Sequence, residues 1–350
     1  MDKSLLVIIS SFIISLITTP LIIRYSIKKK LFVNPEKRKI HKRITPSLGG
    51  IGIFFGFLIV SLFSVSLLSS PEIQFVLLFT SLIFALGIVD DLSSLSALKK
   101  LIPQLLIIVA FILFTDIRLK SFYGLVNHGE LPYVISFLIT LIVMVIIINS
   151  LNLIDGLDGL AGIISLISSF CFASWFLLTG NVAYAYLLFA LFGGASAFII
   201  FNWEPSKIFM GDTGSLVIGM ILSFATIKFI NLNFELHDNP YHFEGSISTA
   251  ICFLIIPLTD TIRIIILRAY KKQSPLKPDK NHIHHAFVKV GASHSQTSLL
   301  LGLIHIAFIV IAILFRNLKD IVLLPGVIAL SIILCIILNK KILKRLTING

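Results

Sequence analysis

The chain has 350 residues, of which 57% are hydrophobic and 13% are charged, and its formal net charge is +12. Roughly 25% of the residues of a soluble globular domain are charged, so this composition excludes an ordinary soluble enzyme. Apolar runs near bilayer length recur along the whole chain, and each can cross a membrane as a helix. We therefore expect an all-α polytopic membrane protein, built as a single integral membrane domain over residues 1–350.

The apolar runs predict about eleven transmembrane helices with short connections. In chain order they cover residues 4–23, 48–68, 73–89, 101–115, 131–148, 160–179, 182–201, 214–231, 247–267, 298–315 and 321–339. Most of the 29 lysine and arginine residues fall on one side of this arrangement. The positive-inside rule then predicts an external N-terminus and a cytoplasmic C-terminus. The basic charge is thus a topology signal, and no nucleic-acid partner is expected.

Unusual polar residues lie at one end of the predicted helices. They occur in "HKRITPSLGG" (41–50), "VDDLSSLSALKK" (89–100), "NSLNLIDGLDG" (149–159), "FNWEPSKIFMGDTGSL" (201–216), "PLTDTIR" (257–263) and "KPDKNHIHHAFVKVG" (277–291). The orientation was predicted from lysine and arginine alone, without the carboxylates, yet these segments all fall on the predicted cytoplasmic side. We therefore expect a composite site formed by cytoplasmic loops at 24–47, 90–100, 149–159, 202–213 and 268–297.

Two of these segments contain closely spaced carboxylates. Asp90 and Asp91 are adjacent and repel each other at a membrane surface unless a cation or a proton relieves the cost; a simple helix end is the alternative. Asn149, Asn152, Asp155 and Asp158 are spaced three residues apart, which allows one polar stripe facing the bundle interior. The alternative here is a polar loop with glycine turns.

Two further segments supply candidate metal and phosphate contacts. Asp212 in "GDTGSL" is a suitable oxygen ligand for Mg²⁺, and the start of the following helix is a potential phosphate site. Alternatively, or in addition, Asp212 or Thr213 caps that helix. The motif "HIHH" supplies phosphate and head-group donors near Arg263, through His282, His284 and His285. A solvated loop is its alternative; zinc is disfavoured because adjacent histidines rarely chelate one ion and no cysteine helps.

Other reactive side chains are expected to be structural. The three cysteines lie singly in predicted spans, so neither a disulfide framework nor a thiolate metal site is expected. His305 lies inside an apolar run and is expected to be packed and hydrogen-bonded. The acids and histidines at 232–246 fall in an external loop and receive no chemical role.

The residues together favour phosphoryl-group chemistry on a lipid. A divalent cation held by carboxylates neutralises a diphosphate and stabilises the leaving phosphate. A cation- or proton-coupled transporter is the main alternative from another class, because intramembrane acids also form ion relays. The acids cluster at the ends of the helices and not at mid-span, which favours surface chemistry. A scaffold protein would give no reason for several polar segments on one face.

The ordered motifs "VDD", "NSLNLIDGLDGLAG", "NWEPSKIFMGDTGSL" and "PDKNHIHH" resemble those of the polyprenyl-phosphate N-acetylhexosamine-1-phosphate transferases, of glycosyltransferase family 4 type. The "HIHH" form is similar to the WecA/TagO-like branch, related to MraY. The resemblance implies roles for twelve residues. It implies Asp212 as the metal ligand, Asp90, Asp91, Asp155 and Asp158 as catalytic residues, and Asn152, Arg263, His282, His284, His285, His41 and Lys42 as substrate-binding residues.

The resemblance also implies the reaction. It is transfer of GlcNAc-1-phosphate, or a similar N-acetylhexosamine-1-phosphate, from a UDP-sugar to undecaprenyl phosphate, with release of UMP. The lipid-linked product would initiate cell-envelope polysaccharide synthesis at the cytoplasmic face of a bacterial inner membrane. Mg²⁺, with Mn²⁺ as a substitute, is the expected cofactor, and a homodimer is a further expectation. The alternative within the family is a phospho-MurNAc-pentapeptide transferase of MraY type.

Overall fold

The protein is described by a computed structural model over residues 3–31, 45–65, 71–125, 129–270, 272, 287–288 and 291–348. In this part of the chain twelve helices follow one another. They are α1 (Lys3–Lys28), α2 (Gly50–Val65), α3 (Pro71–Ser93), α4 (Ala97–Thr115), α5 (Tyr133–Ile154), α6 (Leu160–Leu178), α7 (Val182–Asn202), α8 (Gly211–Glu235), α9 (Ser246–Cys252), α10 (Ile255–Tyr270), α11 (His294–Leu314) and α12 (Asp320–Ile348). The described residues contain no strand, only an isolated bridge between Ser121 and Glu130. The all-α prediction is confirmed.

Nine helices of the described chain are long and apolar enough to cross a membrane, and α9 with α10 would make a tenth span. Each predicted run has a counterpart among the helices. The run at 48–68 corresponds to α2, which has only 16 residues and spans about 24 Å at 1.5 Å per residue. The count of eleven and the external N-terminus therefore stay predictions.

Helix α8 is the centre of the bundle. Its most apolar stretch is 83% buried, whereas that of α1 is 22% buried. Close approach to α8 depends on small residues: a Cβ atom added at Gly50 of α2 would lie 2.0 Å from the Gly214 backbone nitrogen. The start of α8 is therefore held tightly against α2, and this contact positions the residues that follow Met210.

The predicted run at 247–267 is broken in the structure. Helices α9 and α10 meet at an angle of 89°. The carbonyl of Phe253 would pair with the amide of residue 257 in a continuous helix, but Pro257 has no N–H to donate. This carbonyl accepts hydrogen bonds from Ser168 Oγ at 2.6 Å and His305 Nε2 at 3.0 Å instead. The prediction that His305 is packed and hydrogen-bonded is confirmed.

The cysteine prediction also agrees with the structure. Cys171, Cys252 and Cys335 are all free, and Cys252 is fully buried in the apolar packing around the break. Cys171 and Cys335 are half-buried and pack against the main apolar core, and none of the three forms a disulfide.

Candidate active site

The centre of the candidate site is the ammonium group of Lys100. This group lies 3.1 Å from Asp90 Oδ2 and 2.8 Å from Asp212 Oδ2. It also donates to Asn152 Oδ1 at 3.2 Å. Three helices and the first turn of α4 thus supply one side chain each to a single polar cluster: Asp90 from α3, Lys100 from α4, Asn152 from α5 and Asp212 from α8.

The amide of Asn152 has a defined orientation. Its oxygen faces Lys100, which can only donate, and its nitrogen donates to Asp212 Oδ1 and to Ser215 Oγ, the latter at 2.8 Å. Asp90 is similarly fixed, because its other oxygen accepts the Leu95 amide at 2.8 Å. Each carboxylate therefore has one oxygen held by a neutral donor and the other directed at the lysine.

Asp91 and Asp155 contact the start of α8 through its backbone. The Asp91 carboxylate accepts from the amides of Asp212, at 3.0 Å, and Thr213, at 2.9 Å, and from the Thr213 hydroxyl. Asp155 Oδ2 accepts from the Gly211 amide at 3.1 Å. Unsatisfied amides and the helix dipole favour negative charge at this position, and carboxylates of α3 and of the residue after α5 supply it.

Two predictions about the start of α8 are therefore wrong. Asp212 and Thr213 do not cap the helix: both lie inside its first turn, and Met210 occupies the capping position without a side-chain bond. The amides of Gly211, Asp212 and Thr213 are also not available to a substrate phosphate, because Asp155 and Asp91 accept their hydrogen bonds. Sequence spacing could not show this, because the capping carboxylates come from other helices.

The end of the first predicted loop and the residues just before α2 pack directly against this helix start. Its backbone pairs with the residues before α8: the Phe209 amide donates to Pro46 O at 2.8 Å, and the Gly49 amide donates to Phe209 O at 2.9 Å. Gly211 has φ of 71°, and a Cβ atom there would lie 1.9 Å from Ser47 O. Only glycine fits this position, so the tight turn into α8 is a requirement of the site.

The predicted stripe from Asn149 to Asp158 does not form one wall. Asn149 donates to Val145 O within its own helix, whereas Asn152 and Asp155 reach the start of α8. Asp158 is buried elsewhere: its Oδ2 lies 3.5 Å from His294 Nδ1 and accepts the Ser206 amide at 3.3 Å. Because α5 ends at Ile154, the helical spacing that defined the stripe does not continue to Asp158.

Asp158 joins the residues after α5 to the loop before α8, through Ser206, and to the start of α11, through His294. Glu204, in the loop before α8, accepts the Ser295 amide at 2.8 Å and so ties this loop to the start of α11. Partial burial acts to raise the pKa of Glu204, but hydrogen bonds from Ser295, His294 and Ser293 outweigh it and lower the pKa. The carboxylate is therefore ionised at neutral pH and serves as an anchor for α11.

Arg263 pairs with Asp260 on α10, with Nη2 lying 2.9 Å from Asp260 Oδ1. Asp260 lines a small cavity together with Ile154, the last residue of α5. The predicted substrate contact Arg263 is therefore on a helix that borders the end of α5. The predicted contacts His41, Lys42, His282, His284 and His285 lie outside the described residues.

Lys100 was missed by the sequence reasoning. "LKK" was counted only towards topology, since lysine near a helix end is common on the cytoplasmic side. A usable signal was present: Lys100 lies in the first turn of α4, and an acidic segment that repels itself requires a nearby cation. Which of the two adjacent lysines faces the acids depends on the helix rotation, and Lys99 is exposed.

An apolar cavity of about 300 Å³ lies between α5, α8, α9 and α10, mainly in the half of the bundle away from this site. It is lined by α5, α8, α9, α10 and the segment before α5, through Leu119, Ser121, Phe122, Tyr123, Leu131, Ile139, Val143, Ile146, Ile147, Thr226, Ile230, Ile247, Ala250, Ile251, Leu254, Leu258 and Ile262. Ile147 is five residues before Asn152 in α5, about 7.5 Å along the helix axis. Ile262 is next to Arg263. The cavity therefore extends to within about one and a half turns of the polar cluster.

The fold and the site define a polytopic membrane protein with a lysine-bridged acidic cluster at one end of its bundle. It also has an apolar cavity whose nearest lining residue on α5 lies about one and a half helical turns from that cluster. Comparison with known proteins shows which family the chain belongs to. The model of glycosyl transferase family 4 matches residues 73–230. A probable undecaprenyl-phosphate N-acetylglucosaminyl 1-phosphate transferase of Bacillus subtilis (strain 168) is 32% identical over 323 residues, which cover 91% of this chain and 87% of that protein. The chain therefore belongs to the same family as this transferase, glycosyl transferase family 4.

Two further relatives have the same range of similarity. A decaprenyl-phosphate N-acetylglucosaminephosphotransferase of Mycolicibacterium smegmatis is 31% identical over 291 residues, covering 77% of this chain and 71% of that protein. An undecaprenyl-phosphate alpha-N-acetylglucosaminyl 1-phosphate transferase of Salmonella typhi is 29% identical over 306 residues, covering 85% and 79%. The family resemblance recognised from the motifs is confirmed, and it extends over most of the chain.

Proposed function

We propose that this protein transfers GlcNAc-1-phosphate from UDP-GlcNAc to undecaprenyl phosphate and releases UMP. The names of the relatives support the sugar and the polyprenyl acceptor. The observation that carries the proposal is the cluster of Asp90, Asp212 and Asn152 around Lys100. An apolar cavity comes within about one and a half helical turns of it along α5. Such a site can meet a lipid phosphate from the membrane and a nucleotide from water.

Mg²⁺ is the proposed cofactor, and the residues fit it. Among the described residues no group of three or more His, Cys, Asp or Glu side chains could hold a metal alone. Mg²⁺ does not need such a group, because one or two carboxylates plus substrate phosphates usually hold it. Asp212 and Asp90 supply two carboxylates, and Lys100 contacts one oxygen of each. When bound there, Mg²⁺ would neutralise the donor diphosphate and stabilise the leaving phosphate.

The transfer is proposed as a direct displacement. The acceptor phosphate, with a second pKa near 6, is largely dianionic at neutral pH and needs no strong base. One of its oxygens forms a bond to the β-phosphorus of UDP-GlcNAc, while the bond from that phosphorus to the bridging oxygen breaks and UMP leaves. Lys100 supplies positive charge beside the reacting phosphates, and Asn152 keeps Asp212 in place. Asp91 and Asp155 hold the start of α8.

The acceptor and donor are proposed to reach the site from opposite sides. The apolar cavity between α5 and α10 suits an isoprenoid chain, whose phosphate would then lie near Asn152 and Arg263. The nucleotide would come from the cytoplasm, in keeping with the lysine and arginine distribution, and His282, His284 and His285 would contact its diphosphate and sugar. The membrane is proposed to be the bacterial cytoplasmic membrane, and a homodimer is proposed as the assembly.

The proposal is tested with purified protein in detergent, undecaprenyl phosphate, Mg²⁺ and a panel of UDP-sugars. UMP release and lipid-linked sugar are measured together, and particle mass in the same preparation gives the oligomeric state. Formation of both products from UDP-GlcNAc, dependent on lipid and on metal, is the expected result. Turnover of UDP-MurNAc-pentapeptide alone would assign the MraY-type activity instead. Folded protein that turns over no donor would refute the proposal.

A further inference from the structure

The break between α9 and α10 leaves a backbone carbonyl that needs donors from elsewhere. Phe253 cannot pair with residue 257, which is proline. An unpaired carbonyl inside a membrane is strongly unfavourable, because no water reaches it. A break at this point is therefore stable only when side chains of other helices satisfy the freed group.

Two buried side chains, one from α6 and one from α11, satisfy the freed carbonyl. Ser168 of α6 and His305 of α11 have no exposed surface, and both donate to Phe253 O, at 2.6 Å and 3.0 Å. A carbonyl only accepts, so Nε2 of His305 must carry the proton. We refer to Ser168, His305 and the Phe253 carbonyl as the break clamp. It joins α6 and α11 to the bend and leaves the turn little freedom to change its angle.

The direction of α10 matters because this helix carries part of the cavity lining and the predicted substrate contact Arg263. Leu258 and Ile262 of α10, with Leu254 in the turn before it, form one wall of the apolar cavity. Asp260 and Arg263 lie on the same helix and pair with each other. A rotation of α10 at the break would therefore move the cavity wall and the predicted substrate contact together.

The other end of the bent pair is fixed independently. Asp320, at the start of α12, is buried and accepts from the Ile247 amide at 3.0 Å and the Ser248 amide at 2.7 Å. This carboxylate caps α9, so α9 is anchored to α12 while the break is anchored to α6 and α11. With α9 held in this way, the break clamp fixes the start of α10, and packing against α5, α11 and α12 supports the rest of the helix.

We infer that Ser168 and His305 are positioning residues for the acceptor: by clamping Phe253 they hold the α10 wall of the apolar cavity in the place that receives a long isoprenoid chain. This inference rests on the proposed function. It predicts that loss of the clamp weakens use of a long acceptor specifically. A short acceptor contacts only the near end of the α10 wall, so it depends less on the position of the wall, and the nucleotide reaches the site without crossing it.

The kinetic test compares undecaprenyl phosphate with farnesyl phosphate as acceptors. The variants His305→Leu and Ser168→Ala should each raise KM for the long acceptor roughly threefold to tenfold, the range for one lost hydrogen bond. KM for UDP-GlcNAc and kcat/KM for the short acceptor should stay near the wild-type values. His305→Gln, which keeps an N–H donor, should recover most of the loss.

A matched control is available one turn away on the same helix. Ser165 is also buried, but its hydroxyl donates to Ala161 O within α6. Ser165→Ala should therefore leave the ratio of the two acceptors unchanged. Equal losses for long and short acceptors in the clamp variants, unchanged kinetics, or the same effect in Ser165→Ala would each overturn the inference.

Hydrogen exchange followed by mass spectrometry supplies a readout that does not depend on turnover. In His305→Leu, faster exchange should be confined to peptides covering the break and α10, because local opening raises exchange locally. Faster exchange throughout the protein, or no change at α10, would refute the clamp. If the wild type transfers sugar phosphate to neither acceptor, the proposed function has failed, and the exchange pattern still decides whether the clamp fixes α10.

Discussion

Replacing Lys100 by methionine tests the central contact of the site. The ammonium lies 2.8 Å from Asp212 Oδ2 and 3.1 Å from Asp90 Oδ2. At an effective dielectric constant of about 20, each contact is worth roughly 5–6 kcal/mol before desolvation is subtracted. Removing one partner of a buried ion pair typically costs about 3–5 kcal/mol. Lys100→Met should therefore lower the thermal unfolding midpoint by several degrees in metal-free buffer.

Added Mg²⁺ should then reveal the cause of that loss. The variant has two facing carboxylates without their cation, so it should gain more stability from Mg²⁺ than the wild type does, and at lower metal concentration. Turnover should fall even at saturating Mg²⁺, because the lysine charge beside the reacting phosphates is missing. The assay is thermal unfolding in detergent over a Mg²⁺ titration, run beside UMP release. Lys99→Met is the matched control, since Lys99 is exposed.

Two results would refute this reasoning. A wild-type unfolding midpoint in metal-free Lys100→Met would show that the ion pairs contribute nothing net to stability. An equal response to Mg²⁺ in the wild type, Lys99→Met and Lys100→Met would show that the metal does not bind between Asp90 and Asp212.

Three further predictions follow from the same geometry. Asp212→Asn should remove most Mg²⁺-dependent UMP release while the circular dichroism spectrum stays wild-type; retained turnover would exclude Asp212 as the metal ligand. Asp91→Ala should lower the free energy of unfolding by about 1–2 kcal/mol, as for a lost helix cap, and a wild-type unfolding midpoint would count against its capping role. The pKa of Glu204 is lower in the folded protein than in the unfolded chain. The ionised carboxylate therefore stabilises the fold at pH values above its unfolded pKa, and this contribution is lost as the pH falls through its folded pKa. Below about pH 4.5 the wild-type unfolding midpoint should approach that of Glu204→Gln, and a constant difference between the two would contradict this assignment.

Hydropathy and charge distribution predicted much of the fold because they report on the membrane directly. Ten of the eleven predicted apolar runs each correspond to one helix, and the polar segments that the structure describes meet at one end of the bundle. The run at 247–267 was predicted as one helix because its hydropathy is continuous across Phe253. Pro257 was a visible signal, but whether a proline kinks a helix or ends it depends on the donors nearby. Those donors, Ser168 and His305, are remote in the sequence.

The site was predicted at the level of residue types but not of partners. Asp90, Asn152 and Asp212 were selected from their motifs, and the structure brings them together. Their common contact, Lys100, belongs to a pair whose members differ only in the side of the helix they face. Hydropathy gives helix ends within a few residues, and one residue of helix turns a side chain by about 100°.

The aspartates have different roles because the start of α8 needs acceptors for its first amides. A buried helix start requires acceptors for its first amides, and Asp91 and Asp155 supply them, which leaves the Asp212 side chain directed towards Lys100 and Asn152. The same helix dipole that holds Asp91 would also attract a substrate phosphate, so without these carboxylates an anion could bind at the backbone and not beside Asp212. The acid-rich composition of this end of the bundle therefore serves two purposes. Two aspartates close the helix start, and two face the lysine where the proposed cation and phosphates would meet.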